Sequence, residues 1–112
     1  MTVSAPVDTA ITYERTRAGL LVTMRGEIDA AVRLRASSVL ARLVREAPSP
    51  VVVDTSGVTF MDSTGLAFLC GLERHAVEAG RSVALRAPSG AVTAVLELGD
   101  LAPRLAVERA AA

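Results

Sequence analysis

The chain alternates short apolar runs, which are typical of strands, with longer amphipathic stretches, which are typical of helices. Two strand-like runs come first, at 11–17 and 20–28, and the Ala18-Gly19 pair between them predicts a hairpin. Residues 30–47 distribute their apolar positions among arginines and serines. This spacing predicts an amphipathic helix that ends before a proline-rich stretch.

The second half of the chain repeats this alternation. The run "VVVD" at 51–54 predicts a strand buried on both faces, and 55–62 is expected to form a tight connection. Residues 63–80 predict a helix, with Gly80 as its C-terminal stop. A strand, a short helix beginning at a serine and a last strand are predicted at 82–88, 89–99 and 104–107.

This order of elements predicts a single α/β domain over residues 10–108. We expect a mixed β-sheet of four to five strands, opened by the hairpin, with about three to four α-helices packed on it. Residues 1–9 and 109–112 are small or polar and are predicted to be flexible. No internal repeat or linker interrupts the pattern.

Charge and composition narrow the function. The 112 residues include 12 basic and 12 acidic residues, so no overall basic field is present to hold a nucleic acid. All the basic residues are arginines, so the lysine of a phosphate-binding P-loop is absent. One cysteine and one histidine cannot build a zinc cluster or an internal disulfide. We therefore expect no metal and no cofactor.

The same features bear on location. No apolar run approaches the roughly 20 residues that a membrane-spanning helix needs. Residues 1–10 lack the basic region and apolar block of a signal peptide. A lone cysteine suits a reducing compartment. The sequence thus predicts a cytoplasmic domain without a membrane partner.

The stretch "VTFMDSTGLAFL" carries the candidate chemistry, because Asp62, Ser63 and Thr64 interrupt two apolar runs just before Gly65. Asp, Ser and Thr are the residues that cap a helix N-terminus, so capping explains their presence. Three such residues in a row exceed the needs of one helix start. A second role for one of them is therefore open.

A nucleophilic serine is one such role, but the chain does not support it. Met61 stands where the serine hydrolase elbow has glycine two positions before its nucleophile. The one histidine, His75, lies twelve residues beyond Ser63 on the same predicted helix, about 18 Å away. The sequence thus does not support a self-contained Ser–His hydrolase.

Three carboxylates offer another possibility, since Asp29, Asp54 and Asp62 each follow an apolar run. If they converged on one sheet edge, they would suit a magnesium ion, as in phospho-acceptor receiver domains. That chemistry also needs a lysine near the phosphate. Caps and loop hydrogen bonds are the favoured roles.

The run "VVVDTSGVTFMDSTGLAFL" closely resembles the signature of STAS domains, specifically bacterial anti-sigma factor antagonists. In that family a strand ending in Asp precedes Ser-Gly-Val, an apolar pair and Asp-Ser-Ser/Thr-Gly-Leu. The resemblance spans about residues 11–108 and includes "LLVTMRGEID" and "SVALRAPSGAVTAVLELGDL". Two features depart from it: the segment after Asp29 is short, and Thr55 replaces an apolar residue.

This resemblance implies a regulatory protein rather than an enzyme. By position, Ser63 is the hydroxyl that an anti-sigma factor with serine kinase activity phosphorylates. In the family, the unphosphorylated antagonist binds that partner and thereby frees a sigma factor. The phosphorylated form does not bind, and a serine phosphatase restores the unphosphorylated form. The predicted partner-binding residues are Glu27, Asp29, Asp62, Ser63, Thr64, Gly65 and Leu66.

Two alternatives stay open at the level of sequence. One is a STAS scaffold or transporter-associated regulatory module, in which Ser63 is only a cap. The other is a domain that binds a nucleotide or small ligand at the same loop, which is weakened by the lack of a glycine-rich phosphate cradle.

Overall fold

A computed structural model describes residues 10–46, 49–98 and 106–108. Its elements are β1 (Ile11–Thr16), β2 (Gly19–Ile28), a 3₁₀ turn (Ala30–Val32), α1 (Arg33–Arg45), β3 (Val51–Met61), α2 (Ser63–Ala79), β4 (Val83–Arg86), α3 (Gly90–Leu98) and β5 (Ala106–Glu108). The ends predicted to be flexible, 1–9 and 109–112, lie outside the described residues.

The five strands stand side by side in the order in which they occur along the chain. β1 and β2 are antiparallel, and every later neighbour is parallel. Each parallel step crosses over through one helix and moves in the same direction. Right-handed crossovers of this kind place all the helices on one face. The predicted mixed sheet, opened by a hairpin, is confirmed.

The core lies between that face and the helices. Alternate strand residues point into it, as in the register pairs Leu20–Val51 and Val22–Val53. They meet buried side chains from all three helices, namely Ala36, Val39, Leu43, Phe68, Leu69, Leu72, Val92 and Leu96. No helix in the described part of the chain is long and apolar enough to cross a membrane.

The other face of the sheet corrects one expectation about β3. Val52 and Asp54 point away from the helices and are only half-buried. The prediction that "VVVD" is buried on both faces is therefore wrong. A continuous β-branched run does not reveal whether helices cover one face or two, because strand order decides that.

β3 also continues beyond its predicted end. Residues 55–61 are strand rather than a tight connection. β2 is ten residues long, and β3 pairs with it as far as Ile28–Met61. Register shifts near Arg25 and Gly26, where Gly26 has φ +76°, keep the pairing intact. Asp54 consequently lies within the strand, opposite Thr23.

Two glycines fix the predicted hairpin and the end of α2. Gly19 opens β2 with φ +134°, and a Cβ there would lie 2.3 Å from the carbonyl oxygen of Pro50. Gly80 is the left-handed C-cap of α2, and the Arg81 N–H donates to the Ala76 carbonyl at 2.9 Å. Both positions favour a residue without a side chain.

Candidate functional site

The carboxyl ends of β2 and β3 meet at one edge of the sheet. Ile28 and Met61 are register partners, and the Asp62 N–H donates to the Ile28 carbonyl at 3.1 Å. Asp29 and Asp62 therefore leave their strands side by side. This is the edge at which open α/β sheets usually carry their sites.

Each of these two aspartates begins a helical turn. The Asp29 carboxylate accepts a hydrogen bond from the Ala31 N–H at 3.0 Å and caps the 3₁₀ turn. The Asp62 carboxylate accepts one from the Thr64 N–H at 2.8 Å and caps α2. Their carboxylates are thus occupied by local capping.

Ser63 has a different position from the one expected. It is the first residue of α2, not its N-cap, and its side chain is exposed. Its hydroxyl makes no hydrogen bond to any residue that the structure describes. The expectation that Asp62, Ser63 and Thr64 all cap the helix is right for Asp62 alone: the Thr64 N–H donates the cap hydrogen bond, and Ser63 takes no part in it. The Ser63 hydroxyl is left accessible.

Gly65 and Leu66 lie largely inside the domain. Gly65 is buried, and a Cβ there would come within 2.5 Å of Met61 Cγ. The missing side chain therefore makes room for Met61. Leu66 is half-buried and packs on the core. Of the predicted site residues, Gly65 is the one that is fully buried.

Glu27 and Asp29 line a groove of about 700 Å³ beside the irregular part of β2. Glu27 is exposed and pairs in register with Phe60, which is itself 50% exposed. The other phenylalanine of the chain, Phe68, is buried. Phe60 thus joins the candidate surface, although the sequence did not single it out as a site residue.

A second groove of about 360 Å³ runs between α1 and α2, next to Ser63. Residues from both helices line it, namely Arg33, Ala36, Ser37, Leu40, Ser63, Thr64, Ala67 and Phe68. Leu34, the neighbour of Arg33, is 84% exposed. Leu34 stands off the helix face that buries Ala36 and Val39, so a helical projection of α1 is the signal that would have found it.

Asp54 does not join the other two aspartates. Its carboxylate accepts hydrogen bonds from the Ser56 hydroxyl at 2.8 Å and the Ser56 N–H at 3.0 Å, within β3. Convergence of three carboxylates fails because the strand continues past Asp54. Over the described ranges, no group of three His, Cys, Asp or Glu side chains is placed to hold a metal ion.

Comparison with known proteins decides the family. The family model described as "Mlab, STAS domain" matches residues 11–106. The chain belongs to the STAS domain family. No curated protein sequence matches the chain.

Among solved structures, this STAS domain resembles anti-sigma factor antagonists. It is 27% identical to the antagonist SpoIIAA in its unphosphorylated form, with a TM-score of 0.72 over 91% of this chain and 89% of that one. Phosphorylated Bacillus SpoIIAA aligns at 23% identity and TM-score 0.63, covering 91% and 92%. An anti-sigma factor antagonist (STAS) domain protein from Planctomyces limnophilus has 19% identity, TM-score 0.74 and 91% coverage of both chains. The last two likenesses show the fold.

Proposed function

We propose that this STAS domain is an anti-sigma factor antagonist controlled by phosphorylation of Ser63. Its unphosphorylated form binds an anti-sigma factor that has serine kinase activity, which frees a sigma factor. A serine phosphatase reverses the modification. The observation that carries the proposal is the exposed Ser63 hydroxyl, which no described residue engages, beside the capping Asp62. The 27% identity to unphosphorylated SpoIIAA supports it.

In the phosphorylation reaction this chain contributes only the hydroxyl group of Ser63. Ser63 Oγ forms a bond to the γ-phosphorus of ATP, the bond to ADP breaks, and the hydroxyl proton passes to a base on the partner. The partner supplies ATP, magnesium and that base. The phosphate then lies at the N-terminus of α2, where the helix dipole favours an anion. Phosphorylation is therefore compatible with the folded domain. We place the protein in the cytoplasm.

The proposed partner surface combines apolar anchors with carboxylates. Phe60, two residues before Asp62, and Leu34, next to the groove-lining Arg33, expose apolar area. Glu27 and Asp29 add negative charge along the same sheet edge. A central apolar anchor rimmed by polar groups is the usual anatomy of a protein interface.

The switch follows from charge at this surface. Phosphoserine carries about −1.5 to −2 charges at neutral pH, whereas the serine hydroxyl is small and neutral. On Ser63 that charge stands beside the carboxylate of Asp62. A partner that fits the unmodified turn closely then meets a bulky dianion and is repelled. No rearrangement of this domain is required.

Phosphorylation by the partner tests the proposal directly. The full chain is incubated with its anti-sigma kinase and ATP, and phosphate is located by intact mass and peptide mapping. We expect one phosphoryl group on Ser63 and none on Ser63→Ala. Ser56→Ala is the matched control and should be modified like the unaltered chain, because the Ser56 hydroxyl already donates to Asp54.

Phosphate found mainly on Thr64, or nowhere between 56 and 65, would reject Ser63 as the acceptor. Absence of any phosphorylation would instead favour the second candidate, an unmodified STAS scaffold or transporter-associated module. The family model supports keeping that candidate, since its description names the STAS domain and not an antagonist.

A further inference from the structure

Helices α1 and α2 run side by side in the same direction. Both follow parallel strands that end at one sheet edge, so both begin there. Farther along, a Cβ on Gly71 of α2 would lie 2.8 Å from Leu40 Cδ2 of α1. Leu40 is seven residues after Arg33, and Gly71 is eight after Ser63. Arg33 therefore stands level with Ser63 at the open end of the groove between the helices.

The groove has room and positive charge at this end. On α1 its lining residues are spaced three, four and seven positions after Arg33, which is one helix face. Small side chains, Ala36 and Ser37 on α1 and Ala67 on α2, keep it open. Its lining contains one cation and no carboxylate among the residues that the structure describes.

Arg33 itself is free to take a ligand. Its guanidinium makes no hydrogen bond or ion pair with any described residue, and its side chain is exposed. Two other arginines behave differently. Arg35 Nε donates to the Ile11 carbonyl at 3.0 Å, and Arg15 pairs with Glu46 at 2.7 Å. The cation that lines the groove beside the acceptor hydroxyl is thus an unengaged one.

We propose that Arg33 binds the phosphate of phosphorylated Ser63, with the Ser37 hydroxyl as a further donor from α1. This rests on the proposed function only in taking Ser63 as the modified residue. A guanidinium pairs with phosphate through two parallel N–H donors, which suits it better than an ammonium group for this contact. The phosphate then bridges α1 and α2 and closes the mouth of the groove. Phosphorylation thereby removes a surface as well as adding charge.

The test uses the full chain with phosphoserine incorporated at position 63 during translation, so that no kinase is needed. Arg33→Gln is combined with the presence or absence of the phosphate in a double-mutant cycle. ³¹P NMR titration reports the second pKa of the phosphoserine, which is about 6 when unperturbed. We expect this pKa to be lower in the chain that retains Arg33 than in the Arg33→Gln variant, by about half a unit or more, because a nearby cation favours the dianion.

Thermal melting gives an independent measure from the same four proteins. Phosphorylation should raise the Tm of the chain that retains Arg33 more than the Tm of the Arg33→Gln variant. The two shifts should differ by on the order of 3 °C. Arg42→Gln is the control: Arg42 is an exposed arginine on α1 that does not line the groove, and its removal should alter phosphorylated and unmodified chains equally. Arg33→Lys should recover part of the pKa shift and part of the Tm shift, since lysine restores the positive charge without the two parallel N–H donors of a guanidinium.

Equal phosphate pKa values and zero coupling in Arg33→Gln would overturn the proposal. So would an Arg42→Gln effect as large as that of Arg33→Gln, because the contact would then be general electrostatics. Failure of a kinase to modify Ser63 would refute the proposed function and leave these measurements unaffected.

Discussion

Two four-residue stretches of this domain contain the same residue types, D-T-S-G at 54–57 and D-S-T-G at 62–65. In both, the aspartate accepts a hydrogen bond from the N–H two residues on, at 3.0 and 2.8 Å. In the first, Thr55 is fully buried and the Ser56 hydroxyl donates to Asp54. In the second, Ser63 is exposed and no described residue binds its hydroxyl.

The difference comes from the residues on the C-terminal side of each stretch. After Gly57 the chain stays extended because β2 continues alongside it. After Gly65 the residues are apolar nearly all round, and they continue as α2. The same local hydrogen bond therefore accompanies one serine within a strand and the other at a helix start. An accessible hydroxyl is a property of the junction and not of the four letters.

The largest difference in stability between the two stretches is expected when their glycines, Gly57 and Gly65, are replaced by alanine. A Cβ on Gly65 would lie 2.5 Å from Met61 Cγ, whereas one on Gly57 would lie 3.1 Å from Arg25 Cβ at an exposed position. Overpacking a core costs about 1–3 kcal/mol, and better helix propensity returns up to about 1 kcal/mol. We expect Gly65→Ala to lower the free energy of unfolding, measured by chemical denaturation, by about 1–2 kcal/mol. Gly57→Ala should change it by less than about 0.5 kcal/mol. Equal losses would contradict the packing of Met61 against Gly65.

Removal of the α2 cap should have the next largest effect. Asp62→Ala deletes the acceptor of the Thr64 N–H and should lower the unfolding free energy by about 1 kcal/mol. Asp62→Asn keeps an acceptor oxygen and should cost only a few tenths of a kcal/mol. Equal losses for both variants in urea denaturation would show that the charge of Asp62, rather than its hydrogen bond, supports the helix.

The two threonines give a smaller contrast of opposite sign. Thr55 is fully buried, and its hydroxyl has no hydrogen-bond partner among the described residues. Thr55→Val removes that unsatisfied group while conserving shape, and should raise stability by about 0.5–1 kcal/mol. Thr64→Val, at a half-buried site, is the control and should change stability little. Destabilisation by Thr55→Val would mean that the hydroxyl has a partner.

Most of the fold can be predicted from local pattern. The spacing of apolar residues and the terminal signals at Ser89 and Gly80 suffice for the helices, since capping and periodicity act within a few residues. The length of β3 cannot be predicted in this way, because its last seven residues are strand only through pairing with β2. Burial on one face depends on strand order, which is also non-local.

The candidate site likewise combines residues that a local pattern predicts with one that only non-local packing brings there. Asp62 and Ser63 stand out because a polar cluster interrupts an apolar pattern. The sequence could not decide which of three adjacent residues caps α2, since all three types can do so. Arg33 lies thirty positions before Ser63, and only the parallel packing of α1 and α2 brings the two residues level with each other.

The central claim is that Ser63 controls binding and not folding, so the most direct measurement records both quantities in the same proteins. The unaltered chain, Ser63→Ala and Ser63→Glu are compared by melting curves and by calorimetric titration with the anti-sigma factor. Because Asp62 supplies the cap, Ser63→Ala should change stability by less than about 0.5 kcal/mol, and glutamate at a helix N-terminus should not reduce it. Ser63→Ala should bind normally, whereas Ser63→Glu should bind more weakly, on the order of tenfold, because a negative charge now faces the partner. Affinities that simply track stability, or normal binding by Ser63→Glu, would contradict the account.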